Sequence, residues 1–313
     1  MTDSSRNEQI RVAVVILTFN EERHLARAIE CVRGWASEIF VIDSYSTDGT
    51  VELALKYGAQ VLQNPFEYQA KQFDWALNRA PITSDWVMRL DADEVVEPDL
   101  AAEILASLGS LPLEVTGVNL RRKTIFQGKF IRHGGRYPLT LLRIWRRGKA
   151  QIEDRRMDEH MYLTEGRAVT FRGGFADHNL FDLTEFTEKH NRYATREALD
   201  VLNGRYHLFP QPILLTEHVT ATQARVKRQL KERLYNRIPF EISAVAYFVY
   251  RYVFLLGFLD GREGFVYHVL QGFWYRFLVG AKLRELEFAV KVAKDEEELR
   301  RELARLTRQA FNS

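Results

Sequence analysis

Residues 11–94 repeat one pattern, a short apolar run, a polar turn and then a stretch with helical spacing. Val12, Ala13, Val14, Val15, Ile16 and Leu17 run unbroken into Thr18-Phe19-Asn20-Glu21-Glu22, after which Leu25, Ala28, Ile29 and Val32 recur at helical intervals. Ile39-Phe40-Val41-Ile42 leads through Asp43-Ser44-Tyr45-Ser46-Thr47-Asp48-Gly49-Thr50 into a helix carrying Val51, Leu53, Ala54 and Leu55. Gln60-Val61-Leu62 precedes a helix over 68–78, and residues 85–90 form a fourth strand. Strands alternating with helices at this spacing predict an α/β fold, a mostly parallel sheet flanked by helices with right-handed crossovers.

The polar residues gather where the strands end. Thr18, Phe19, Asn20, Glu21, Asp43, Asp91 and Asp93 would lie along one rim, where open α/β sheets bind ligands. Asp91 and Asp93 are two apart, so on a strand they point to one face. Carboxylates converging there call for positive charge, most simply a hard divalent cation with oxygen ligands. Taken alone, Asp91-Ala92-Asp93-Glu94 could equally end a strand before the helix announced by Pro98. A Gly-rich phosphate loop is missing, which speaks against hydride transfer and ATP hydrolysis.

Three motifs in this order, Thr18-Phe19-Asn20-Glu21, then Asp43-Ser44 with Ser46-Thr47-Asp48-Gly49-Thr50, then Leu90-Asp91-Ala92-Asp93-Glu94, closely resemble the amino-terminal half of the family 2 glycosyltransferases over residues 11–110. The resemblance implies the GT-A fold (nucleotide-diphospho-sugar transferase), a nucleotide-sugar donor with UDP-sugar first among candidates, a divalent metal (Mg2+ or Mn2+) and inversion at the anomeric carbon. Carried over by position, Thr18, Phe19 and Glu21 would border the nucleoside and Asp43 would meet the base. Asp91 would hold the ribose or a metal-bound water, and Asp93 would bind the metal that bridges the diphosphate. Inverting transfer needs one general base for the acceptor hydroxyl. An acid at about this distance in the resembling enzymes implies Glu159, with Asp158 second, in Met157-Asp158-Glu159-His160. Many relatives carry a basic residue and Asn where this chain reads Gln72-Phe73-Asp74. Lys71 could substitute, or could simply lie on a solvated helix face.

The 44 basic and 42 acidic side chains give a net charge of +2, so no global field points to nucleic acid. Cys31, the only cysteine, cannot form an internal disulfide and reads as a small core residue, with His24 patterned for the surface. The first ten residues are polar and lead straight into a strand, so the catalytic part is expected to stay in the cytoplasm. His133, Arg136 and Arg143 could touch diphosphate or an anionic acceptor, or be solvated charges. His178, after Gly173-Gly174, could reach metal or diphosphate, or be structural.

Residues 1–215 are expected to form the GT-A domain and 216–313 a helical region. Six basic residues and Glu232 lie in 225–237, where Val226, Leu230, Leu234 and Ile238 make an apolar stripe suited to an anionic membrane surface. Two apolar segments follow, 242–259 and 265–281, carrying Arg251 and Arg276 with His268 and Gln271. A central Arg costs about 2.5–3.5 kcal/mol on insertion scales, which favours a platform in or on the membrane interface over spanning helices, with ordinary buried helices as the other alternative. Leu256-Gly257 to Gly264 would turn the chain between them. Residues 282–311 read as one charged amphipathic helix, with Leu299, Leu303 and Leu306 on a side that could pair with another subunit in a homo-oligomer.

This region also resembles the carboxyl-terminal part of bacterial family 2 enzymes that build lipopolysaccharide core or exopolysaccharide on lipid-linked acceptors. The combined expectation is an inverting, metal-dependent glycosyltransferase of bacterial cell-surface glycan synthesis, peripheral on the inner face of the membrane. Its acceptor would be a lipid-linked saccharide or polysaccharide. The alternatives are a nucleotidyltransferase, disfavoured without a basic Gly-rich loop after the first strand, and a membrane-docked non-catalytic scaffold of a glycan-assembly complex.

Overall fold

The computed structural model describes residues 10–154, 159–208 and 239–308. Asp158 and the basic stretch 225–237 lie outside the described residues. Contacts divide the chain into two compact units, the first running to Leu180 except for His133–Gly135, which cluster with the helical second unit.

The first unit is built on β1 (Val12–Thr18), which pairs in parallel with β2 (Glu38–Asp43) on one side and β4 (Trp86–Asp91) on the other, while β3 (Gln60–Gln63) extends β2. Val12, Val14 and Ile16 pack in one layer with Leu25, Ala28 and Ile29 of α1 (Glu22–Glu30). Ala13 and Val15 belong to the opposite layer, with Phe73 and Ala76 of α3 (Gln69–Arg79). Burial on both faces is why the strand reads as an unbroken apolar run. Each such Val, Leu, Ile or Phe contributes roughly 1.5–3 kcal/mol relative to exposure. The turn after β2 opens α2 (Thr50–Lys56).

Beyond β4 the sheet is mixed. Its order is β3-β2-β1-β4-β8-β6-β11-β5. β8 (Leu139–Arg146) runs antiparallel to both β4 and β6 (Val115–Phe126), and β11 (Arg167–His178) runs parallel to β6. β5 (Glu94–Val96) lies antiparallel to β11 with Glu94 opposite Asp177, and β7 (Lys129–Ile131) folds back on β6. That pairing holds the Ala92-Asp93 turn against the end of β11, where the His178 amide donates to the Asp93 carbonyl at 2.9 Å. α4 (Pro98–Ser107), with Pro at its start as expected, adds Leu100 and Ile104 to the first layer. β9 (Ala150–Ile152) and β10 (Met161–Leu163) form a separate ribbon, and residues 153–160 join them.

The second unit contains α5 (Leu183–Tyr206), opened by a capping box between Asp182 and Glu185. The break between units therefore falls after Leu180, earlier than the expected 215, because Ala198, Leu199 and Leu202 of α5 pack with Leu286 and Leu303 near the carboxyl end. α6 (Phe240–Val249) widens into a π-type turn through Phe254, and α7 (Gly261–Tyr267) follows. The single helix expected over 282–311 is instead two, α8 (Tyr275–Val292) and α9 (Glu296–Thr307). The chain is extended at Ala293, and the Asp295 carboxylate starts a new helix by accepting from the Glu298 amide at 2.7 Å. Leu299, Leu303 and Leu306 pack within this unit, which accounts for the stripe without a second subunit. Among the described residues no single helix is long and apolar enough to cross a membrane, although Phe240–Phe254 and Gly257–Val292 together are, bent by 71°.

Candidate active site at the carboxyl ends of β1, β2 and β4

Asp43 ends β2 and is fully buried. It accepts four hydrogen bonds, from the Thr18 hydroxyl (3.1 Å), the Ser46 hydroxyl (2.5 Å), the Ser46 amide (2.9 Å) and Gln63 Nε2 (3.1 Å). The carboxylate thus builds the turn that follows it. The next turn residues grip α1, since the Glu21 amide donates to Thr50 Oγ1 (2.8 Å) and the Glu22 amide to Asp48 (3.3 Å). Gly49 leaves room for the Glu22 carboxylate, which accepts from the Gly49 amide at 3.2 Å. Phe19 projects into solvent at 56% exposure, free to meet a planar ligand.

Asp91 ends β4 between two guanidiniums. Arg89 Nε donates to its Oδ1 and Arg143 Nη2 to its Oδ2, both at 3.1 Å. Burial would raise its pKa, but Arg89 and Arg143 outweigh that and hold it well below the usual carboxylate range. Arg143 is also bound to buried Glu94 at 2.6 Å and is itself buried, so it is not a solvated charge. Glu94 is pushed up to about 7, chiefly by burial, with Arg143 pulling down and Asp91 pushing up. Arg89 Nη2 reaches 70 residues along the chain to Glu159 Oε1 at 3.1 Å. Its guanidinium also lies 5.2 Å from the centre of the Phe73 ring.

Asp93 turns to the other side of the rim. Its Oδ2 accepts from Asn179 Nδ2 at 3.0 Å. Beside it, Arg27 donates through Nη1 to His178 Nδ1 (3.1 Å) and through Nη2 to the His178 carbonyl (2.6 Å). Burial first, then Arg27 and His24, lower the His178 pKa, so the ring is neutral at pH 7 with its proton on Nε2, a donor suited to a phosphate oxygen. His24, patterned for the surface in sequence, is fully buried. Its Nε2 accepts from the Leu180 amide at 2.9 Å, so its proton sits on Nδ1, 2.6 Å from Glu21. Gln72 is buried and donates to the Ser44 hydroxyl (3.1 Å), while Lys71 lies outside on the helix, paired with Glu67.

The family model for glycosyl transferase family 2 matches residues 13–178, more than half of the chain and all of the strands that carry these groups. The chain is a family 2 glycosyltransferase. An uncharacterized glycosyltransferase of Rickettsia typhi is 37% identical over 94 residues, 30% of this chain and 32% of that protein, so the match spans about a third of the relative's length. The lipopolysaccharide core biosynthesis glycosyltransferase LpsC of Rhizobium meliloti is 28% identical over 196 residues, 61% of this chain and 71% of its own. Among solved structures, glucosyl-3-phosphoglycerate synthase from Mycobacterium tuberculosis in complex with Mn2+, UDP and glucosyl-3-phosphoglycerate is similar at 23% identity and a TM-score of 0.29, covering 38% of this chain and 45% of that one.

In this glycosyltransferase Thr18, Phe19, Glu21, Asp43, Asp91, Asp93 and Glu159 all fall in the first unit. Among the described residues no group of three or more His, Cys, Asp or Glu side chains could hold a metal. Both Asp91 oxygens accept from guanidiniums, and Asp93 accepts from Asn179 near the Arg27 charge. One carboxylate fits Mg2+ or Mn2+ when a nucleotide diphosphate and water complete the shell. Reading residue by residue missed that Arg89, Arg143 and Glu94 form one buried network with Asp91. The signal was present in the sequence, because a charge inside Trp86-Val87-Met88-Arg89-Leu90, two positions before Asp91, shares its face and needs it as a partner.

Proposed function

We propose that this glycosyltransferase moves a sugar from a nucleotide-diphosphate donor, UDP-sugar first, to a lipid-linked saccharide by a single inverting displacement, in bacterial cell-surface glycan synthesis at the cytoplasmic face of the membrane. The observation that carries the reading is the Arg89 bridge, which links Glu159 to Asp91, the carboxylate that ends β4. Similarity to LpsC supports a lipopolysaccharide-core acceptor over a free sugar.

Phe19 and the buried Thr18–Asp43 pair would form the nucleoside cradle, with Asp43 meeting a base N–H in exchange for one of its present donors. Glu21, held by Thr50 and His24, would close the cradle's edge. Asp91 would orient the ribose or a water. Asp93 would hold the divalent cation, and Arg27-anchored His178 would donate to a phosphate oxygen. When bound, the metal would neutralise charge on the departing diphosphate. Glu159 would take the proton from the acceptor hydroxyl as its oxygen attacks the anomeric carbon opposite the leaving group.

The test is calorimetric titration with UDP, GDP, CDP and dTDP, with Mn2+ or with EDTA, repeated on Asp93→Ala. Metal-dependent binding of one nucleotide, lost in the variant, is expected. Binding of none of them by folded protein in the presence of lipid would overturn the donor assignment and favour the scaffold alternative.

A further inference from the structure

The hairpin of the helical unit is polar inside and apolar outside. Between residues 242 and 259 the only charged side chain is Arg251, and it is 3% exposed. Its Nε donates to the Gly134 carbonyl at 2.9 Å, and its guanidinium lies over the rings of Tyr247 and Tyr267 at 5.5 and 5.9 Å. Asp260 is also buried, accepting from the His133 amide (2.9 Å) and lying 2.7 Å from His133 Nδ1, and His268 is fully enclosed 3.8 Å from it. Gly257 is needed for this closeness, since a Cβ there would lie 2.8 Å from His268.

The outward residues are the reverse. Ile242, Val245, Val249 and Val253 follow one helical face and are exposed, and Phe254 is 72% exposed at the bend. Leu256 is held at φ 59°, a conformation unfavourable to a branched side chain, yet it points outward at 47% exposure. In water a helix pair would gain by turning Arg251 out and these residues in. The observed arrangement is the favourable one when the surroundings are hydrocarbon, where a charge must face protein.

Length and charge identify the occupant. Phe240–Phe254 is 15 residues, about 22 Å of helix, against roughly 30 Å of bilayer hydrocarbon. Beyond the bend the chain returns alongside it, the Phe240 ring meeting Phe277 at 5.1 Å and Phe248 meeting Phe265 at 6.5 Å, a geometry suited to entering one leaflet and returning. The sequence just before it, residues 225–237, carries six basic residues and one acidic, complementary to anionic headgroups. We propose that residues 240–267 are a re-entrant hairpin seated tip-first in one leaflet of an anionic bilayer, with Arg251, Asp260 and His268 forming the polar clasp that keeps its lipid-facing side free of charge. This goes beyond the transfer reaction, and its test does not depend on turnover.

Full-length protein is floated with phosphatidylcholine vesicles and with 3:1 phosphatidylcholine:phosphatidylglycerol vesicles, beside Phe254→Asp/Leu259→Asp. Both changes are at exposed positions, and circular dichroism and UDP titration check that the variant is folded. The wild type is expected to float with the anionic vesicles, and the variant to lose at least about tenfold in partitioning, as expected of charges brought to hydrocarbon. A dye on Leu259→Cys should shift to the blue with these vesicles and be quenched by lipids labelled within the near leaflet. Wild type that stays unbound, a variant that floats equally well, or a lipid-free dimer that the variant dissociates without any vesicle binding would overturn the proposal, the last in favour of a second copy of this chain.

Discussion

Arg89 and Glu159, 70 residues apart in sequence, are joined by a 3.1 Å hydrogen bond, and the same guanidinium holds Asp91 through its Nε. One strand residue thereby couples the end of β4 to the loop joining β9 and β10. The Glu153 amide donates to the His160 carbonyl at 2.9 Å, and the Arg89 bridge then gives Glu159 a partner beside the rim.

Replacing Arg89 with Met would leave Asp91 and Glu159 without the charge they share. Breaking a buried pair from one side typically costs about 3–5 kcal/mol, so Arg89→Met is expected to lower Tm markedly. Arg89→Lys keeps the charge but loses the fork that reaches both acids. It should retain more stability while lowering kcat more than it raises KM for the donor. Wild-type kcat in a folded Arg89→Lys enzyme would remove Arg89 from the positioning of Glu159.

Glu159→Gln keeps the shape of the side chain and removes its basicity. If Glu159 takes the acceptor proton, kcat should fall by about 10²–10⁴-fold with donor affinity nearly unchanged. An equal fall in nucleotide binding would instead mean that Glu159 serves the donor side. Asp158→Asn, made in parallel, should have the smaller effect.

Much of the first unit was legible because β1, β2 and β4 are buried on both faces and so write their extent as continuous apolar runs. The mixed half was not, because β6, β8 and β11 carry arginines and glycines among their apolar residues and find partners far along the chain. The acids of the rim were named from motifs, yet their partners were not, because Arg143 and Glu94 look solvated until the antiparallel return of β8 brings them together. In the helical unit, composition showed charge inside apolar segments, but only the fold shows that Arg251 and Asp260 face inward. His24 was misplaced for a similar reason, since its acceptor duty to the Leu180 amide comes from a residue 156 positions away.

Cys31 tests the packing of α1 against the rim. Burial raises its thiol pKa, and its Sγ lies 3.2 Å from the Val96 amide, from which it accepts. Burial makes it a poor nucleophile, outweighing the amide, which favours the thiolate. A disulfide reagent at pH 8 is expected to label native enzyme far more slowly than free cysteine, with full reaction on unfolding. Fast labelling of native protein would show that the edge strand β5 opens.

Glu94 gives the fold a pH dependence with a definite sign. Burial raises it from its ordinary 4.5 to about 7, so the folded chain keeps a proton that the unfolded chain releases. That stabilisation is complete below about pH 4.5 and is lost as pH climbs through about 7. Asp91 acts oppositely and in another window. Its depressed pKa adds stability above its ordinary 3.8 and loses it only as pH falls below that value. From about pH 5 to about pH 7.5, therefore, the slope due to this pair belongs to Glu94. Glu94→Gln has no proton to lose but can still accept from Arg143. In chelator, the Tm of wild type minus that of Glu94→Gln is expected to decline steadily across this range. A difference that stays level or rises with pH would show that Arg143 keeps Glu94 ionised throughout, and that the cluster is held by fixed charges alone.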